Sequence, residues 1–136
     1  MIRSILTVLV GLLAGSVVVW VLEFAGHRFY PTPPGVDLEN LEALKAYVAS
    51  APTAMFLVLL VAWAGGAFVG GGVAALLSPA RRGLHALAVG GIQTLFASAQ
   101  FAMIPHPVWF MVIGLTIFLP FAGLAGLIVG REPDVA

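Results

Sequence analysis

The segment ILTVLVGLLAGSVVVWVL (Ile5–Leu22) carries no charged residue and is long enough to cross the hydrocarbon core of a bilayer as a helix. It is longer than the roughly 7–15 residues of a signal-peptide core, and Glu23 and Phe24 follow it where a cleavage site would have small residues. We therefore interpret it as a retained transmembrane helix. With three further apolar segments, the sequence predicts an all-α integral membrane four-helix bundle, with spans at about 2–25, 53–77, 84–103 and 107–130.

The amino-acid composition also indicates a membrane protein. Of 136 residues, 61% are hydrophobic and 9% are charged, whereas soluble domains have about 25% charged residues. The formal net charge is zero, which gives no electrostatic basis for binding nucleic acid. The absence of cysteine excludes disulfides, thiol redox chemistry and thiolate metal sites. We expect a single transmembrane domain over residues 1–136, with the lipid bilayer as its main partner.

The loop between the first two spans contains a helix signal of its own. Asp37 is a favourable helix N-cap, and Val36 and Leu41 have the spacing of a hydrophobic staple. Apolar residues then recur at helical spacing, opposite charged ones. This pattern predicts a short amphipathic helix over about 38–48, lying in the membrane interface or capping the bundle.

The basic residues predict the orientation. If there are four spans, Arg3, Arg81, Arg82 and Arg131 lie on one side of the membrane, and Arg28 and Lys45 lie on the other. Because basic residues are enriched on the cytoplasmic side, we expect both termini in the cytoplasm. The loop from Arg28 to Pro52 and the turn IPHP (Ile104–Pro107) then face outward together.

Small residues at helical spacing indicate how the spans pack. Three GxxxG pairs are present, and Gly90 follows Ala86 at the same interval. In lipid, close approach of helix backbones through small residues replaces the hydrophobic driving force. The predicted packing glycines are Gly11, Gly15, Gly66, Gly70, Gly90, Gly126 and Gly130.

Polar residues concentrate near the outward ends of the spans. Glu23 and His27 are four residues apart and therefore share a helix face, and the flanking prolines restrict the backbone of His106. Gln100, near the outward end of the third span, is within possible reach of Glu23. The candidate polar cluster comprises Glu23, His27, Arg28, Tyr30, Gln100, His106 and Trp109.

Three interpretations of this cluster are open. Interfacial His, Arg, Tyr and Trp commonly only anchor helices at the headgroups. An intramembrane carboxyl beside histidines is also suited to handling protons or a polar ligand. Glu23, His27 and His106 together have the composition of a divalent-metal site, although nothing in the sequence specifies a cofactor. In the first interpretation, Glu23 and His27 lock the outer end of the first helix to the IPHP turn.

The segments E-x-x-x-H-x-x-Y-P (Glu23–Pro31) and IPHPVWF (Ile104–Phe110) resemble those of a family of small four-span bacterial membrane proteins of uncharacterised activity. The resemblance covers nearly the whole chain and implies a location in the bacterial cytoplasmic (inner) membrane. It implies no particular activity.

We expect a small non-catalytic membrane protein: an assembly factor, an accessory subunit or a self-associating bundle, either as a homo-oligomer or within a larger membrane complex. The small-xxx-small motifs and the lack of a catalytic constellation favour this. The alternative is a small proton-linked transporter or channel that uses Glu23, His27 and His106. A metal-dependent membrane enzyme is the least favoured hypothesis, because an enzyme would need more convergent polar groups.

Overall fold

The structure, a computed structural model, describes residues 2–130. Within them the chain forms five helices: α1 (Ile2–His27), α2 (Leu41–Ser50), α3 (Thr53–Leu77), α4 (Arg82–Met103) and α5 (Val108–Gly130). All but α2 are long and apolar enough to cross a membrane. The predicted all-α bundle of four candidate spans, with a short helix between the first two, is confirmed.

Helix α3 is the centre of the bundle and packs against α1, α4 and α5. It contributes Phe56 and Trp63 to a core that also contains Phe110 and Phe118 of α5. Helices α1, α4 and α5 expose many large apolar side chains on their outer faces. Such a surface suits lipid rather than water as the surrounding solvent.

Glycines bring α1 and α3 into backbone contact. A Cβ added to Gly11 would lie 2.6 Å from the carbonyl oxygen of Gly70, and one on Gly15 would lie 2.6 Å from that of Gly66. The GxxxG pair of one helix therefore faces the GxxxG pair of the other. No larger side chain fits at this contact without moving a backbone.

The contacts of α5 also depend on small residues. A Cβ on Gly90 would lie 2.9 Å from the carbonyl oxygen of Phe118, and one on Gly126 would lie 2.7 Å from the Cβ of Ala86. Gly130 differs from the other predicted packing glycines, because a Cβ there would meet no atom within 4 Å among residues 2–130. It lies at the last residue of α5, beyond the helix contact that Gly126 makes.

Helix α2 begins at Leu41, three residues after the predicted start near residue 38, and its N-cap is Asn40 rather than Asp37. The Asn40 side chain accepts hydrogen bonds from the backbone N–H groups of Glu42 (3.0 Å) and Ala43 (3.2 Å). Asp37 instead closes a preceding turn by accepting from the N–H of Glu39. Both residues satisfy local donors, but only Asn40 satisfies those of the first helical turn.

Helix α2 meets the core of the bundle through apolar side chains. Val48 is 7% exposed and belongs to the core, and Leu44 packs against it. Leu38 and Leu41 remain exposed at the other end of the segment. The tertiary packing of α2 therefore depends on Leu44 and Val48.

Candidate functional site

The Glu23 carboxyl is held by an indole from α3. Trp63 Nε1 donates a hydrogen bond to Glu23 Oε1 at 3.3 Å, joining residues that are 40 positions apart in the chain. The Trp63 ring is itself fixed by Phe101, Phe110 and Phe118, with ring centroids 5.3–5.9 Å away. The neighbouring rings therefore hold the Trp63 N–H in place, and this N–H positions the Glu23 carboxyl inside the span.

Glu23 lines a groove that opens sideways between α1 and α4. The groove has a volume of about 370 Å³. The two helices supply most of the lining, and Trp63 and Phe118 come from the other two spans. The lining residues are Ser16, Val19, Trp20, Glu23, Trp63, Gln93, Phe96, Ala97, Gln100 and Phe118. We call this space the polar groove.

The polar groove contains a buried acceptor without a donor. Gln93 Oε1 is buried and has no hydrogen-bond partner among residues 2–130. An ionised Glu23 carboxylate is acceptor-only, and one of its oxygens already receives the Trp63 N–H. A buried acceptor without a donor is unfavourable, especially where lipid excludes water. The groove is therefore chemically incomplete and suited to a hydrogen-bond donor.

A second groove follows along the same pair of helices, toward the start of α1. It has a volume of about 410 Å³ and, apart from Ser4 and His85 at its far end, an apolar lining: Ile5, Val8, Leu9, Leu12, Leu84, Ala88 and Ile92. We call it the apolar groove. Because residues early in α1 meet residues early in α4, and late residues meet late ones, the two helices run parallel.

Glu23 also lines a small cavity on its other side. This cavity, of about 30 Å³, is shared with His27, Tyr30 and Met55. Its volume is enough for a water molecule. Glu23 therefore stands between the polar groove and a small space beside the end of α1.

His106 lies in a separate aromatic environment. Its ring is stacked on Phe110 at 5.3 Å and meets the rings of Phe56 and Phe101 edge-on. Its Nδ1 is 2.7 Å from the carbonyl oxygen of Ile104, so this nitrogen carries the proton and donates. Burial among these rings lowers the pKa of His106 below its ordinary value of 6.5, against the opposing effect of the Ile104 carbonyl.

The expected lock between Glu23, His27 and the IPHP turn is not the arrangement seen. Within the described chain, Glu23 hydrogen-bonds to Trp63, and His106 bonds within its own turn. No group of three or more His, Asp or Glu side chains in residues 2–130 is placed to hold a metal ion. The reason is helix pairing: the close backbone contact of α1 with α3 directs Glu23 toward Trp63.

The remaining candidate residues are distributed around this site. Gln100 lines the polar groove with Glu23. Arg28 is exposed, with its guanidinium carbon 5.9 Å from the centre of the Phe24 ring. Trp109 is 37% exposed and meets Phe56 edge-on. The structure therefore brings Glu23 together with Gln100, His27 and Tyr30, and places Arg28, His106 and Trp109 elsewhere.

Trp63 and Gln93 are polar site residues that lie outside the predicted polar cluster, although Gln93 shares a helix face with Gln100. A signal for Trp63 was present, because an indole N–H in the middle of a span needs an acceptor. Gln93 lies seven residues before Gln100, at the spacing that repeats one helix face. Neither signal identifies Glu23 as the partner.

Comparison of the chain with models of known protein families, with curated proteins and with solved structures finds no significant match to any of them.

Proposed function

We propose that this small multi-span membrane protein is a non-catalytic binding protein, an accessory component of its membrane, that recognises a donor-bearing molecule entering between α1 and α4. The observation that carries the proposal is the Glu23 carboxyl, fixed by Trp63 at the edge of a lipid-open groove that also contains the unpaired Gln93 oxygen. An intramembrane carboxyl is costly and is retained where it serves binding or transport.

The packing of the glycines bears on the alternative of self-association. Gly11 and Gly15 contact Gly70 and Gly66 of the same chain, and Gly90 and Gly126 contact α5 and α4. These surfaces are already occupied within one molecule. The small-xxx-small motifs therefore give little support to a homo-oligomer, and the groove gives more support to binding a separate molecule.

In this proposal the protein lies in a bacterial cytoplasmic membrane with both termini inside. The parallel course of α1 and α4 supports the charge argument, because it places Arg3 at the same end as Arg81 and Arg82. Arg131, the fourth basic residue of that argument, lies outside the described residues. The polar groove and α2 are then in the outer half of the protein.

Native mass spectrometry of the protein in nanodiscs made from its host membrane tests the binding function. We expect a co-released small molecule with the wild-type chain, and its loss in Glu23→Gln. Glu39→Gln, which changes an exposed carboxyl in the loop, is the matched control and should retain the molecule. Release of identical species by the wild type and Glu23→Gln would contradict the proposal.

A second function, proton-linked transport, is favoured by one observation. Glu23 lines both the polar groove and the small cavity beside His27 and Tyr30, so a single carboxyl faces two separate spaces. A group placed in this way is suited to exchanging protons between them.

Proton uptake into liposomes that contain a pH-sensitive dye tests the transport function. The wild type and Glu39→Gln should conduct protons under an imposed potential, and Glu23→Gln should not. Equal proton flux with and without the Glu23 carboxyl would exclude this function.

A further inference from the structure

The two grooves follow one another along the seam between α1 and α4. The polar groove is lined by residues 16–23 of α1 and 93–100 of α4, and the apolar groove by residues 4–12 and 84–92. Each has the volume of a small-molecule site, whose usual range is about 300–1,000 Å³. The polar groove followed by the apolar groove, both open to lipid, matches the polar head and apolar tail of an amphiphile.

The chemistry of the polar groove selects the head group. Among residues 2–130, Glu23 is the one acid that lines the polar groove, Gln93 supplies an unpaired oxygen, and neither Arg nor Lys lines either groove. An anionic head group would meet a carboxylate of the same sign, and a carbonyl head group would add another acceptor. An ammonium group carries a positive charge and three donors with no acceptor.

We propose that the seam binds amphiphiles with a primary ammonium head group, the ammonium at Glu23 and the alkyl chain directed past Gln93 toward the apolar groove. This rests on the proposed binding function and names its ligand class. Glu23 and Leu12 are about 16 Å apart along the axis of α1, so an alkyl chain of about twelve carbons reaches the near end of the apolar groove and a longer chain lies along it.

Titration of the protein in nanodiscs at pH 7 with three twelve-carbon amphiphiles tests the ligand class. Dodecylamine, dodecanol and dodecanoate share the chain and differ in the head group. Trp20 and Trp63 line the polar groove, so intrinsic fluorescence reports its occupation. We expect saturable binding of dodecylamine in the wild type and in Glu39→Gln, and about tenfold or greater weakening in Glu23→Gln, as for a lost charge-assisted hydrogen bond.

A second variant tests where the alkyl chain of the ligand lies and leaves the Glu23 carboxyl in place. Ala88 is exposed and lines the apolar groove, so Ala88→Phe should fill it. It should weaken binding of octadecylamine, whose chain extends past Leu12 into the apolar groove, but leave that of hexylamine unchanged. Ala99→Phe, an exposed position on α4 outside both grooves, should affect neither.

The outcomes separate this inference from the binding function. Saturable, Glu23-dependent binding of dodecanol or dodecanoate without binding of dodecylamine would overturn the ammonium class and leave the binding function standing. Equal binding of all three amphiphiles, insensitive to Glu23→Gln, would also overturn it, as would binding of octadecylamine that Ala88→Phe leaves unchanged. The mass-spectrometry experiment tests the binding function independently, because it measures whether Glu23→Gln loses the co-released molecule.

Discussion

At Gly15 the missing side chain sets the distance between two helices. A Cβ there would lie 2.6 Å from a backbone oxygen, which no rotamer change can relieve. In lipid, helix association relies on such close contact. A side chain at Gly15 would therefore move the backbones of α1 and α3 apart.

Gly15→Ala should therefore destabilise the protein by about 1–3 kcal/mol, the usual cost of overpacking. Gly91→Ala is the matched control, because a Cβ on Gly91 meets nothing within 4 Å among the described residues. It should be neutral or slightly stabilising, since alanine is the better helix former. Reversible unfolding in mixed micelles measures both, and equal effects of the two variants would refute the assigned contact.

His106 gives a prediction about pH. Its pKa is lowered in the folded state, so the unfolded chain binds a proton first as the pH falls. Stability should be full above about pH 6.5, the ordinary pKa, and should decline below it until the folded-state pKa is passed. Thermal unfolding between pH 7.5 and 5 should show this decline.

His106→Gln should remove part of that pH dependence, because glutamine does not titrate. The control is His27→Gln, at the exposed end of α1, which should retain it. If the unfolding temperature of His106→Gln falls with pH as steeply as that of the wild type, the burial of His106 is not the cause.

At the scale of elements, the start of helix α2 depends on its N-cap, for which the sequence offers two candidates. Asp37 and Asn40 are both favourable N-cap residues, and the staple spacing of Val36 and Leu41 favoured Asp37. In the structure each side chain accepts from a nearby backbone N–H, but only Asn40 accepts from two N–H groups of the helix. Local pattern predicts that a helix exists better than it predicts its first residue.

Asn40→Ala should consequently destabilise α2 by about 0.5–2 kcal/mol, and Asp37→Ala should have a smaller effect. Amide hydrogen exchange over residues 42–46 measures the stability of the helix locally. Faster exchange in Asp37→Ala than in Asn40→Ala would show that the helix begins earlier than the structure has it.

At the scale of the whole molecule, the proposed orientation, with both termini in the cytoplasm, predicts which loops face outward. Both Glu39 and Ala80 are exposed, in the loops on opposite sides of the bundle. Since the chain has no cysteine, Glu39→Cys and Ala80→Cys each introduce a unique label site. An impermeant maleimide added to intact cells should label Glu39→Cys alone. Labelling of Ala80→Cys alone would reverse the orientation.

The four spans were predictable from the sequence, because bilayer thickness imposes a length of apolar helix that can be read directly. The site was predictable only in part. Gln100 was placed within reach of Glu23 and lines the same groove, but the hydrogen-bond partner of Glu23 is Trp63, 40 residues away. That pairing depends on how α1 is rotated against α3 by Gly11 and Gly15, and apolar spans that are hydrophobic on every face do not reveal their rotation.

The contact between Glu23 and Trp63 is the central claim, and indole NMR tests it most directly. The chain has three tryptophans, so a spectrum of the ¹⁵N-labelled indoles in micelles has three resonances, and Trp63→Phe assigns one of them. We predict that Glu23→Gln shifts the Trp63 N–H resonance and leaves that of Trp109 in place, whereas His106→Gln does not reproduce the Trp63 shift. An unchanged Trp63 resonance in Glu23→Gln would contradict the account.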